Sequence, residues 1–244
     1  MRFSTAMLSE KGGREVNQDY CDFLVVRDRG IWALADGLGG SQGGEIAARL
    51  SVQTMLEQVD EEPILLIKGG LAEAQRLLHE EQKRSPLRRS MRTTLVVLVC
   101  SGASAYWAHV GDSRLYHFRA GKHISQTKDH SVCQALVNAG EISQEDIRFH
   151  EDRNRLYRVL GTEGEVKASI REDGIQIEQG DAFLLCSDGF WEYVTEDEMV
   201  RTIESASSPS EWLEAMESIL KSRILERHDN YSALAVFVEK NTTM

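Results

Sequence analysis

The stretch IWALADGLGG, residues 31–40, decides how the rest of the chain is read. Its opening residues are apolar and suit a buried strand. The run ends on Asp36-Gly37, where a carboxylate can project past a sheet rim while glycine turns the backbone. Two further stretches share this pattern: AFLLCSDGFW (182–191) carries Asp188-Gly189, and HDNYSALAV (228–236) opens with Asp229-Asn230. An isolated Asp-Gly pair is a common turn former and says nothing about chemistry. Three Asp-led pairs at the rims of three apolar strands say more. Carboxylates gathered at one rim repel by about 4 kcal/mol per pair at about 4 Å and an effective dielectric near 20. Such a cluster needs cations, and hard divalent ions such as Mg²⁺ or Mn²⁺ suit oxygen ligands. The expectation is a metal site assembled from distant parts of the chain.

Composition sets the bounds. A chain of 244 residues suits one domain, expected here to span 1–244 with a substantial core. Hydrophobic residues make up 41% and charged residues 27%, an ordinary globular balance. The net charge of −11 argues against a nucleic-acid partner, which calls for a basic face. Cys21, Cys100, Cys133 and Cys186 lie far apart, form no CxxC pair and read as small core hydrophobes. The opening residues show no sustained apolar stretch of a signal peptide. Aliphatic runs such as 95–100 are too short to span a bilayer. A cytoplasmic protein without a membrane partner is expected.

Strands are predicted at 3–8, 20–26 and 31–35, followed by helices over 43–59 and 64–83. A basic segment, KRSPLRRSMR (83–92), separates these from a meander at 94–100, 103–110, 114–119 and 122–125, with turns at Ser101-Gly102 and Ala120-Gly121. Residues 131–158 change to short helices and a charged stretch, the pattern of a flap. Strands return at 168–177 and 182–186, then helices at 196–205 and 209–226, then a last strand at 232–239. This alternation implies α+β layering, with the final strand returning to the early ones and bringing Asp229 near Asp36.

GGREVNQD (12–19), LADGLGG (34–40), RTTLVVLV (92–99), AHVGDSRLY (108–116), QTKDHS (126–131), RNRLYRVLG (153–161), LLCSDGFWEYVTEDE (184–198) and HDNYSALAV occur in this order. In these strings the chain resembles the metal-dependent protein phosphatases of the 2C group in their compact bacterial form, over nearly its whole length. The resemblance implies a four-layer α-β-β-α sandwich, two antiparallel sheets flanked by helices, with a small flap at about 131–158. It implies hydrolysis of phospho-Ser and phospho-Thr on proteins by a hydroxide bridging two Mn²⁺ or Mg²⁺ ions, with a third ion in bacterial relatives. On this resemblance Asp36 bridges both ions, the Gly37 carbonyl contributes to the second, and Asp188 and Asp229 complete the first. Asp19 holds water around the ions, and Asp129 with Asp188 forms the third site. Arg14 clamps the phosphoryl group, since a planar guanidinium makes two parallel charge-assisted bonds to phosphate. The implied partners are phosphorylated proteins and a cognate Ser/Thr kinase, and the implied state is a monomer.

Three positions depart from the family pattern. Gln18 stands where many relatives have Glu, and Leu38 where animal relatives carry a His proposed to protonate the leaving group. Arg92 replaces the usual Gly before the paired threonines, altering a turn or the charge near the cleft. A catalytically silent phosphopeptide-binding relative is the rival reading, and retention of Arg14 and the three core aspartates speaks against it. The basic segment 83–92 reads as a solvated loop, Asp112-Ser113 as a hairpin turn, and His109, His117 and His130 as structural.

Overall fold

Residues 1–38, 43–224 and 228–239 are described by a computed structural model of the chain. Period-two alternation along its apolar strands builds three cores. In β3 (Arg29–Leu38), Ile31, Ala33 and Ala35 face one layer while Trp32 and Leu34 face another. In β5 (Leu95–Ser101), Leu95, Val97 and Val99 alternate with Val96, Leu98 and Cys100 in the same way. β11 (Ala182–Cys186) and β12 (Tyr231–Glu239) mirror this: Leu184, Ala233 and Ala235 face outward to helices, and Phe183, Leu185, Leu234 and Val236 face inward. A strand covered on both faces needs no polar alternation, so these segments read as continuous apolar runs.

One sheet runs β10 (Ile175–Gln176), β6 (Ser104–Val110), β5, β3, β2 (Asp19–Val26), with β4 (Arg92–Thr93) on β3 and β9 (Ser169–Ile170) on β6. The other runs β1 (Arg2–Glu10), β12, β11, β7 (Arg114–Arg119), β8 (Lys122–Gln126). Neighbouring strands in both sheets are antiparallel. Helices α1 (Gly44–Leu56) and α2 (Pro63–Arg84) cover the first sheet through Ala47, Val52, Met55, Leu71 and Leu78. α4 (Asp188–Trp191), α5 (Glu196–Ser205) and α6 (Pro209–Lys221) cover the second through Trp191, Met199, Trp212 and Met216. Proline in the first turn of α2 and α6 costs no hydrogen bond there, and Thr195 with Glu198 forms a capping box that starts α5. The four layers expected from the resemblance are these.

The flap holds α3 (Val132–Ala139) and a 3₁₀ turn at Glu145–Phe149. It is anchored by Arg148 on Glu196 at 2.7 Å and Arg153 on Glu192 at 2.7 Å. Two details differ from the sequence reading. The strand expected at 168–177 is two short pieces, β9 and β10, separated by a turn in which Gly174 takes φ +61°. The helix expected to reach 226 stops at Lys221, with Ser222 capping it; Leu225 and Glu226 lie outside the described residues. Among the described residues no helix is long and apolar enough to cross a membrane.

Candidate metal and phosphate site

Both sheets deliver carboxylates to one end of the sandwich. The β2–β3 register sets Asp19 directly opposite Asp36. Asp188 follows the end of β11 at the start of α4, and Asp229 lies two residues before β12. Two bonds across the gap between sheets fix this end: Ser187 Oγ donates to Asp19 Oδ2 at 2.6 Å, and the Gln18 N–H donates to Asn230 Oδ1 at 2.8 Å. Asn230 Nδ2 in turn donates to the carbonyls of Lys11 and Val16, holding the loop that carries Arg14. Behind Asp36, the Thr94 hydroxyl accepts from the Asp36 N–H at 2.9 Å and the Thr93 hydroxyl donates to its carbonyl at 2.8 Å.

The glycines of the Asp-Gly pairs serve another purpose than turning the chain. Neither Gly37 nor Gly189 has a positive φ; Gly37 lies within β3 and Gly189 within α4. A Cβ on Gly37 would sit 2.1 Å from the Gly44 carbonyl oxygen, and one on Gly189 2.1 Å from that of Asn230. Glycine is required because backbones meet there, the end of β3 against the start of α1 and the start of α4 against the chain entering β12.

A cavity of about 210 Å³ opens at this point, lined by Asp36, Gly37, Asp188, Asp229 and Arg14. Gln18, Leu38, Asp112 and Asn230 complete its wall, and the flap adds Asn154 and Leu156. Arg14 Nη2 donates to Asp229 Oδ2 at 2.7 Å. The remaining acids repel one another. Burial, then the charges of Asp188, Asp19, Asp112 and Asp229, push the Asp36 carboxyl well above the usual range. Burial, then Asp112, Glu192 and Asp229, do the same to Asp188. Burial is also the largest cause raising Asp19 to about 6 and Asp112 to about 7.

This donor set fits hard divalent cations. It consists of oxygens and is short of positive charge. Among the described residues no three His, Cys, Asp or Glu side chains close on a point as a complete cage.

Of the residues singled out from sequence, Arg14, Asp36, Gly37, Asp188 and Asp229 line the cavity, and Asp19 stands immediately behind Asp36. Asp129 is elsewhere. Arg114 Nε and Nη2 donate to both its oxygens at 2.9 and 2.8 Å, in a pair whose side chains are each 2% exposed. Its place at the cavity is taken by Asp112, which the hairpin reading passed over. The Asp112 carbonyl accepts from Trp191 Nε1 at 3.0 Å, which ties it to α4. The signal was present: AYWAHVGD is one more apolar strand ending on a carboxylate. His130 is structural, accepting at Nδ1 from the Gly111 N–H and stacking on His109 with ring centroids 4.6 Å apart.

The family model for protein phosphatase 2C matches residues 10–225, and the chain belongs to that family. It is 31% identical over 240 residues to the serine/threonine phosphatase stp of Listeria innocua, covering 95% of this chain and 90% of that one. The crystal structure of the Mycobacterium tuberculosis serine/threonine phosphatase PstP/Ppp matches with a TM-score of 0.84 at 27% identity, over 98% of this chain and 99% of that one. The catalytic domain of PstP in complex with two manganese ions matches with a TM-score of 0.81 at 25% identity, over 98% and 99% of the two chains.

Proposed function

We propose that this chain is a metal-dependent phosphatase that removes phosphate from Ser and Thr residues of proteins, opposing a cognate Ser/Thr kinase. The observation that carries this reading is one cavity lined by Arg14, Asp36, Asp188 and Asp229 in a chain of the protein phosphatase 2C family. Asp36, the Gly37 carbonyl, Asp188 and Asp229 are the residues to hold two Mn²⁺ or Mg²⁺ ions, supported by Asp19. Asp112 beside Asp188 suits a third ion better than Asp129, whose oxygens are already taken by Arg114. Bound there, such ions supply Lewis acidity toward phosphoryl oxygens and lower the pKa of water toward about 7.

The chain's own residues do the rest. Arg14 spends one N–H on Asp229, and a guanidinium carries five, so donors remain for a phosphoryl group. Its side chain is 58% exposed, so it meets a substrate arriving from solvent. Leu38 has no proton to give, and the departing alkoxide takes its proton from water. Asn154 and Leu156 of the flap narrow the cavity around the phosphorylated side chain. A space of about 210 Å³ admits that side chain while the peptide rides on the rim. The cytoplasmic, monomeric state expected from sequence belongs to the same proposal.

The test is hydrolysis of phospho-Ser, phospho-Thr and phospho-Tyr peptides by purified protein with Mn²⁺ titrated in. Turnover of the first two should rise with Mn²⁺, vanish on chelation, and be lost in a folded Asp36→Asn variant. Absence of Mn²⁺-stimulated turnover, or near-wild-type turnover by Asp36→Asn, refutes the reading.

A further inference from the structure

Arg92 occupies an unusual position. It is directly opposite Leu38 in the β3–β4 register, and Gly37 is opposite Thr93. Directly paired residues of an antiparallel ladder project to the same side with Cβ atoms about 4.5–5.5 Å apart. Leu38 and Gly37 line the cavity, so Arg92 stands at its border. Alternation along β4 buries Thr93, whose hydroxyl bonds to the Asp36 carbonyl, and leaves Arg92 exposed. The backbone at this position suits a side chain, for Arg92 is not among the residues with positive φ. It is also held from three sides. Thr93 exchanges backbone bonds with Leu160 at 3.2 and 2.9 Å, and Gln82 Nε2 donates to the carbonyls of Met91 and Gly161 at 2.7 Å each. What the Arg92 side chain contributes is therefore charge at the rim.

No described residue neutralises that charge. Five cations lie in residues 83–92: Lys83, Arg84, Arg88, Arg89 and Arg92. Glu81 at the end of α2 takes Arg84 and Arg88. Lys83, Arg89 and Arg92 make no ion pair among the described residues. In a chain of net charge −11, whose cavity is itself walled by carboxylates, an unpaired Arg92 at the rim is complementary to an incoming anion.

We infer that Arg92 is a specificity-determining residue that favours phosphopeptides carrying a second anionic group, a carboxylate or another phosphate, close to the phosphate removed. The inference rests on the phosphatase reading given above. An extended peptide advances about 3.3 Å per residue, so a cation at the border of the cavity is met by a side chain within about three positions. Of the three unpaired cations, Arg92 is the one that the strand register sets beside the cavity.

The experiment compares kcat/KM for three phospho-Thr peptides of one sequence: flanks neutral, flanks with two Glu, and one flank phospho-Ser. At low ionic strength the wild-type protein should favour each anionic peptide over the neutral one by about three- to fivefold, the range of an exposed ion pair. In Arg92→Gly both ratios should fall toward one; in Arg92→Glu they should invert; Arg92→Lys should keep most of the preference. Added salt should flatten the wild-type ratios within the Debye screening expected of exposed charges. A preference for the phosphate flank alone would narrow the class to multiply phosphorylated segments. Ratios identical in wild type and Arg92→Gly overturn the inference and leave the phosphatase reading standing. Failure of the wild-type protein to turn over the neutral peptide with Mn²⁺ overturns the phosphatase reading itself, and this inference with it.

Discussion

Replacing Asp129 with Asn separates two roles that the sequence leaves confounded. Arg114 and Asp129 form a bidentate pair, each side chain 2% exposed, and the guanidinium lies 3.5 Å from the centre of the Trp191 ring. The nearest other carboxylate, Glu196, is 3.8 Å from Arg114 and already engaged with Arg148. Removing the Asp129 charge therefore strands a buried cation, at a cost of about 3–5 kcal/mol. At roughly 2–4 °C per kcal/mol for a chain of this size, the melting midpoint should fall by about 10 °C. A carboxylate inside the repelling cavity cluster behaves in the opposite sense: Asp36→Asn should raise the midpoint of metal-free protein. Scanning calorimetry in chelator reads the sign directly. A midpoint unchanged or raised in Asp129→Asn would refute the buried-pair argument and return Asp129 to the ion site. The double variant Arg114→Met/Asp129→Leu removes both charges and should recover most of the loss.

Arg14→Ala should raise KM for a phosphopeptide about tenfold or more with a smaller change in kcat, the scale of a lost charge-assisted bond; an unchanged KM counts against the clamp. Stability of metal-free protein should fall as pH rises from about 4 to 7. Asp19 and Asp112 are raised to about 6 and about 7, so the folded state holds their protons longer than the unfolded chain. The destabilisation begins above the unfolded value and is complete once pH passes the folded one; thermal melts in chelator showing no such decline contradict it. Glu198, lowered to about 2 chiefly by Arg223, carries the opposite sign. Its stabilisation is present above the unfolded value and lost as pH falls through about 2, so Glu198→Gln should cost about 2 kcal/mol at neutral pH and little below pH about 2 in denaturant titrations.

Much of the fold is readable from side-chain periodicity, and particular residues show where that ends. Trp32 and Leu34 alternate with Ile31 and Ala33, but both sets are apolar, so the sequence marks a strand without saying which face meets which layer. The pieces at 169–170 and 175–176 are too short for any period to register. Asp36, Asp188 and Asp229 stand out because each borders an apolar run. Asp112 meets the same criterion, yet its Ser113 neighbour and the following strand make a hairpin the nearer interpretation. Asp129 looks equivalent in sequence because its partner Arg114 lies fifteen positions away, and only the pairing of β7 with β8 brings that stretch back beside it. Arg92 was visible as a departure, while its register opposite Leu38 was not.

Asp36 belongs to one sheet of the sandwich, and Asp188 and Asp229 lie just beyond the ends of strands β11 and β12 of the other. Between those sheets the shared interior is mostly hydrocarbon, from Trp32 and Leu98 to Phe183 and Val236, with Trp32 Nε1 donating across it to Thr5 Oγ1 at 2.9 Å. An ion shared by these carboxylates would rivet two halves that are otherwise joined by apolar packing and a handful of hydrogen bonds. Its occupancy would then be felt well beyond the catalytic mouth, as slower amide exchange in strands on both sides of that seam, growing with the logarithm of free metal.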